Sequence, residues 1–319
     1  MQYLFGPVLS RRLGFSLGVD LLPPYKVCSM DCLYCECGTT PRRFLTMERK
    51  EWVPTEEVKR ELKEFLTSSD TPIDFVTFSG NGEPTLHINF GEIARFVKDL
   101  RPDIKLALLT NASTLYIDEV LKDLEPFDLV APSLDAATEK VFKKINHPAK
   151  GLTLDKVLQG LRKLKDNFKG QIWLETLFVK GINDTPEEVE KIGNLVWELK
   201  PHRWQINTVV RPPAYRVQGL SEEELLKIAK TVNYPSTDIV CYNYLRLEDI
   251  KPFSTKAKDI ENQLLDIVKR RPSPVEELRK SLSLTEEAME EILEKLQREG
   301  KVKLLNRDGK VFVSFRIKR

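Results

Sequence analysis

The sequence predicts an α/β protein: a mostly parallel sheet covered by helices, followed by a small helical domain that carries a β-hairpin. Three observations predict it. Between about residues 70 and 210, short apolar runs alternate with amphipathic stretches. The apolar runs are near-continuous, as in strands buried on both faces. Beyond Pro252 the texture changes to three short helical patterns and then two alternating strands. Repeated strand–helix units imply a parallel sheet with helices outside.

The elements follow in order. Ser16 to Leu22 reads as a strand that stops at Pro23–Pro24, and a cysteine-rich loop comes next. A helix from Thr55 to Leu66 turns Val58, Leu62, Phe65 and Leu66 inward. Strand Ile73 to Phe78 leads to a helix with Ile93, Phe96, Val97 and Leu100 on one face, at the i, i+3, i+4, i+7 spacing. Strand Ile104 to Leu109, helix Thr114 to Leu124 and strand Leu129 to Ser133 continue the pattern. A helix begins near Thr138, and another from Leu154 to Phe168 precedes strand Ile172 to Phe178. Thr185 is suited to cap a helix from Pro186 to Leu199, with proline at its first position. Strand Trp204 to Val209 follows. About six units fall short of the eight of a closed barrel, so the expected architecture is a partial (βα)6 TIM-like barrel.

The C-terminal segment has a helix through Ile260, Leu264, Leu265, Ile267 and Val268, and a second from Pro274 to Ser281. A third starts at Ser283 or Thr285, with Ala288, Ile292, Leu293 and Leu296 inward. Lys301 to Leu305 and Val311 to Phe315 flank an Asp308–Gly309 turn, the signature of a hairpin. Together these read as a winged helix. The expected domains are residues 1–250 for the barrel and 255–319 for the winged helix.

The chain has 319 residues, 41% of them hydrophobic and 31% charged, enough to bury a full core. Fifty basic against 48 acidic side chains give a net charge of +2. The chain as a whole is therefore not a polyelectrolyte partner for nucleic acid, and any such contact must come from a local patch. The sequence has no apolar run of membrane-spanning length, no secretory h-region and no lipidation motif. A cytoplasmic location, where thiols stay reduced, is expected.

Four of the five cysteines, Cys28, Cys32, Cys35 and Cys37, fall within ten residues. In a reducing compartment such a group reads as metal-binding rather than as a disulfide framework. Zinc on all four is one reading, although zinc favours two separated pairs. The segment CSMDCLYC supports another. It resembles the CxxxCxxC motif of the radical S-adenosylmethionine (SAM) superfamily, including the aromatic Tyr34 before the third cysteine. The resemblance implies a 4Fe–4S cluster held by Cys28, Cys32 and Cys35. One iron is left open for the amino and carboxylate groups of SAM. It also implies reductive cleavage of SAM to a 5′-deoxyadenosyl radical, fed by a low-potential donor such as ferredoxin or flavodoxin. Cys37 is not expected to be a ligand.

Strand-end segments extend the resemblance. Gly80-Asn81-Gly82-Glu83-Pro84 is similar to the family's GGEP-type segment, whose main chain holds the SAM amino group; Asn81 replaces a glycine. Thr110-Asn111-Ala112 resembles the TNG-type segment, with a helix cap as the alternative. Ser133 and Asp135 resemble the polar pair that binds the SAM ribose or carboxylate; they too could be caps. Glu175 and Asn207 point either into the barrel or to buried hydrogen bonds. His87, His147 and His202 are scattered and carry no assigned role, and no catalytic side chain is assigned.

The stretches Gly6-Pro7, Ser10-Arg11-Arg12-Leu13-Gly14, Ser16 to Asp20, Ile182-Asn183-Asp184 and Arg211-Pro212-Pro213 resemble one subgroup, the Fe–S oxidoreductases similar to wyosine-tRNA synthases. Wyosine synthases of this kind carry a second cysteine cluster, whereas only Cys37 and Cys241 remain here. Arg11 and Arg12 suit either an anionic substrate group or surface ion pairs. The third C-terminal helix, TEEAMEEILEKLQRE, is too acidic for insertion into a nucleic-acid groove. The hairpin and tail are basic, with Lys301, Lys303, Arg307, Lys310, Arg316, Lys318 and Arg319 against Asp308. They suit an RNA or DNA backbone, or else the domain serves packing or peptide docking. Three functions compete: radical modification of RNA (tRNA included), radical chemistry on a peptide, protein or small metabolite, and a redox-sensing transcription regulator. SAM cleavage separates the last from the first two.

Overall fold

A computed structural model of the chain describes residues 1–10, 12–68, 72–241, 260–307 and 309–316. Arg11, Asp308, Lys318, Arg319 and the expected domain boundary lie outside the described residues. One sheet dominates. Its strands are β1 (Leu4–Ser10), β2 (Gly14–Val19), β3 (Phe75–Phe78), β4 (Lys105–Thr110), β5 (Leu129–Pro132), β6 (Gln171–Phe178), β7 (Arg203–Thr208) and β8 (Thr237–Ile239). They lie in sequence order from β1 to β8. β1 pairs antiparallel with β2, and every later pairing is parallel. The fold is thus α/β with a parallel-strand sheet, as expected.

The sheet has eight strands rather than six. The segment LFGPVLS of β1 contains Gly6-Pro7, which interrupts any strand pattern, and its register with β2 shifts between Phe5 and Val8. β8 is three half-buried residues, too short for a periodicity. The helix before it, Glu222–Val232, starts at a Ser221–Glu224 capping box.

The helices are α1 (Thr55–Ser68), α2 (Phe90–Leu100), α3 (Asp118–Lys122), α4 (Glu139–Asn146), α5 (Leu154–Asn167), α6 (Pro186–Leu199) and α7 (Glu222–Val232). Thr185 caps α6 by accepting from the Glu188 amide. α3 is much shorter than the expected Thr114–Leu124, because Ser113 and Thr114 are fully buried in side-chain hydrogen bonds ahead of it. One core cluster runs from Leu17 and Phe78 through Phe178 and Trp204 to Cys241.

The C-terminal region contains α8 (Ile260–Arg270), β9 (Ser273–Pro274), α9 (Val275–Ser281), α10 (Glu286–Arg298), β10 (Val302–Arg307) and β11 (Lys310–Phe315). The three strands form an antiparallel sheet in the order β10-β11-β9. Thr285, not Ser283, caps α10; Ser283 takes a positive φ of 55°. This region has its own apolar cluster, which also takes in Phe5 and Val8 of β1. The N-terminal strand therefore packs where the two apolar clusters meet. No helix among the described residues is long and apolar enough to cross a membrane.

Candidate active site

The cysteine loop follows β2 and is fastened at several points. Val27 bridges Gly82, and Cys28 bridges Leu45. The Leu33 amide donates to the Ile145 carbonyl at 2.9 Å, and the Asp31 amide to the Asn146 carbonyl at 3.0 Å. These bonds set the loop against the end of α4. Cys28 and Cys32 are buried; Cys35 and Cys37 are half-buried. Burial pushes the Cys28 thiol up to about 11 and raises Cys32 as well. A hydrogen bond from the Cys37 thiol is the main cause that lowers Cys35 to about 6, with Lys26 adding to it.

Two amides aim at the sulfurs. Asn111 Nδ2 lies 3.4 Å from Cys28 Sγ, and Asn146 Nδ2 lies 3.3 Å from Cys32 Sγ. Asn146 was not legible in the sequence, since it sits at the end of a helix with no motif around it. Lys26, which no motif marks, is buried beside the thiols and donates to the Gly38 carbonyl at 2.6 Å.

The strand-end segments behave less uniformly. Gly82 has φ +150°, and a Cβ there would lie 1.7 Å from the Val27 carbonyl oxygen. A Cβ at Gly80 would meet the Asp20 carboxylate at 2.2 Å. Glycine is thus required by backbone and side-chain neighbours of the chain itself, which brings the segment against the cysteine loop. Glu83 is 1% exposed. Its carboxylate accepts from Thr85 N and Oγ1, Thr110 Oγ1 and the Asn111 amide, at 2.6 to 3.1 Å. Burial raises its pKa, and these donors oppose the rise.

Gly80, Gly82, Glu83, Asn111 and Ser133 share one pocket with Cys28, Cys32, Cys35 and Cys37, with a volume of about 300 Å³. Asn81 and Asp135 do not line it. The Asn81 amide is held by Asp20. Asp135 accepts from the Tyr34 hydroxyl, from Asn146 Nδ2 at 2.8 Å and from the Leu177 amide at 3.0 Å. Its bonds tie Tyr34 of the cysteine loop to β6.

The opposite wall carries Arg12, Glu175 and Asn207. Arg12 pairs with Glu175 and donates to Gln205 Oε1 at 3.0 Å, while Asn207 Nδ2 donates to Glu175 at 2.8 Å. Glu175 is held below the usual carboxylate range: burial raises it, but Arg12 and these bonds outweigh that. At the mouth, Arg211 pairs with Glu36 at 3.0 Å and Glu277 at 2.5 Å, and Arg271 pairs with Glu36 at 3.1 Å. Residues of the C-terminal region thus line the pocket. The three histidines do not: His87 bonds the Val53 carbonyl, His202 accepts from the Ile172 amide, and His147 stacks edge-on against Tyr215. Cys241 is buried in the main core cluster.

A larger cavity of about 1170 Å³ opens among the starts of the strands, with Phe75, Lys105, Leu129, Gln171 and Trp173 in its wall. It is remote from the thiols. The smaller pocket lies at the C-terminal strand ends, where barrel enzymes place their chemistry.

The donor set fits an iron–sulfur cluster. Three soft thiol donors share a sheltered pocket with amide donors at two of their sulfurs, and such donors tune a cluster's potential. Among the described residues, no three His, Cys, Asp or Glu converge as they would on a single ion.

The family model of the Radical SAM superfamily matches residues 22–196. A UPF0026 protein of Methanocaldococcus jannaschii is 34% identical over 324 aligned residues, covering 100% of this chain and 97% of its own. A UPF0026 protein of Helicobacter pylori strain J99 is 33% identical and covers 87% of each chain. In fold, the chain is similar to a radical SAM methyltransferase from Sphaerobacter thermophilus, with a TM-score of 0.54 at 15% identity over 68% of this chain and 63% of that one. The chain belongs to the radical SAM superfamily, whose enzymes use a 4Fe–4S cluster and S-adenosylmethionine.

Proposed function

We propose that Cys28, Cys32 and Cys35 hold the cluster and that the enzyme cleaves SAM reductively to act on RNA. The observation that carries the reading is the gathering of the three cysteines with Gly80, Gly82, Glu83, Asn111 and Ser133 around one pocket. Bound there, the cluster supplies the electron that splits SAM into methionine and a 5′-deoxyadenosyl radical. The chain's own residues do the rest. The Gly80–Glu83 backbone and Ser133 orient the SAM polar groups, with Asn81 and Asp135 supporting from behind. The Arg12–Glu175–Asn207 wall faces the substrate. A ferredoxin or flavodoxin delivers the electron.

The order of helices and strands from Ile260 to Phe315 supports a winged helix. Its exposed Lys303, Lys310 and Arg316 offer a basic face for RNA. Arg307 is not part of that face, because it donates to the Arg211 carbonyl at 2.8 Å. The subgroup resemblance to wyosine-tRNA synthases points the same way. A second reading, a peptide or small metabolite as substrate, is favoured by the ion pairs of Arg211, Arg271 and Glu277 that narrow the pocket mouth.

The test is 5′-deoxyadenosine formation by the anaerobically reconstituted, reduced protein with and without total cellular RNA. Strong stimulation that nuclease abolishes is the expected result. A slow rate indifferent to RNA would move the substrate to the second reading, and no 5′-deoxyadenosine at all would refute the cleavage assignment.

A further inference from the structure

Lys26 lies two residues ahead of Cys28 and is 7% exposed. Its ammonium donates to the Gly38 carbonyl and is paired with no carboxylate among the described residues. A buried ammonium without a counter-ion is costly. It lines one pocket with Cys28, Cys32, Cys35 and Cys37. The loop itself orients it, since Gly38 follows the last of these cysteines directly.

We infer that Lys26 is the countercharge of the iron–sulfur cluster and sets its reduction potential, an inference that rests on the ligand assignment above. A cluster bound by three thiolates is anionic, and reduction adds one more negative charge. A fixed positive charge in a sheltered site favours the reduced form. The amides of Asn111 and Asn146, at 3.4 and 3.3 Å from Cys28 and Cys32 sulfurs, act in the same direction. Lys26 is the only one of the three that carries a full charge, so its removal has the largest effect. It is a positioning residue in the electrostatic sense: it touches the cysteine loop and acts on electron entry.

The experiment compares the full-length wild type, K26M and K26R after anaerobic reconstitution, without SAM. Iron and sulfide are quantified, and the reduced cluster is followed by EPR during a redox titration. The expected result is K26M with wild-type iron and about a tenfold lower ratio of reduced to oxidised cluster at fixed poise, equivalent to about 59 mV for a one-electron couple. K26R should stay near the wild type. A K26M protein with a full cluster and an unchanged potential overturns the inference, even if its SAM affinity falls. If K26M holds no iron, K26R decides: a cluster at wild-type potential supports the countercharge, whereas loss in K26R as well assigns Lys26 to holding Gly38 and overturns it. A wild type that assembles no cluster refutes the ligand assignment itself, a distinct failure.

Discussion

Among the described residues, Arg270 of α8 and Asp20, just past β2, form the most deeply buried ion pair that links the C-terminal region to the large sheet. Their side chains are 8% and 4% exposed, at 3.1 Å. The guanidinium also donates to the Asp266 carbonyl at 2.8 Å and the Gln2 carbonyl at 3.0 Å, and lies 4.7 Å from the Phe5 ring centroid. In R270M the apolar contact survives but the Asp20 carboxylate is left without its counter-ion. Breaking a buried pair in this way costs about 3–5 kcal/mol. Burial already pushes Asp20 up to about 6, with Arg270 the main group opposing it. A carboxyl whose folded pKa is raised stabilises fully below its unfolded value near 3.8 and loses that contribution as pH climbs through about 6. Removing Arg270 raises the folded pKa further and extends the loss to higher pH. Urea unfolding followed by tryptophan fluorescence should show R270M about 3 kcal/mol less stable near pH 7, from the two lost carbonyl hydrogen bonds and the unpaired carboxyl, with a deficit about 1 kcal/mol smaller near pH 5, where Asp20 is protonated in both proteins. D20N combined with R270M should recover part of the deficit at pH 7, because no unpaired charge remains. A deficit under about 1 kcal/mol, or one that does not change with pH, would refute the reasoning.

Three further outcomes are expected. Alanine at Cys28, Cys32 or Cys35 should each abolish cluster iron and SAM cleavage, while C37A keeps both; iron and sulfide analysis of the reconstituted proteins decides. G82A must displace the Val27 carbonyl, 1.7 Å from the new Cβ, and should lose about 1–3 kcal/mol or more; a melting curve equal to wild type would disprove the contact. Asn183 takes the Val179 amide at 2.7 Å and donates to the carbonyls of Asp135 and Leu177 at 2.8 and 2.9 Å. N183A should therefore cost about 1–3 kcal/mol in urea unfolding and leave the SAM cleavage rate per folded molecule close to wild type.

The CSMDCLYC spacing and the apolar periodicity from Ile73 to Val209 are local: each is decided within one loop, strand or helix, so the family and the parallel sheet were legible from residues alone. β1 and β8 were not, because a strand broken by Gly6-Pro7 and a strand of three residues have no period and exist only through their neighbours. The same division runs through the site. Gly80, Gly82, Glu83, Asn111 and Ser133 are announced by their position at strand ends, and their sharing of a pocket follows from the parallel register. Asp135 is announced equally well, yet the fold turns it to Tyr34, Asn146 and the Leu177 amide, since a buried carboxylate takes the nearest donors. Lys26 and Asn146 carry no sequence signal, and the Arg211-Pro212-Pro213 motif gives no hint that Arg211 and Arg271 clasp Glu36. Their roles depend on charges brought together from positions up to 235 residues apart, and only the folded chain sets those distances.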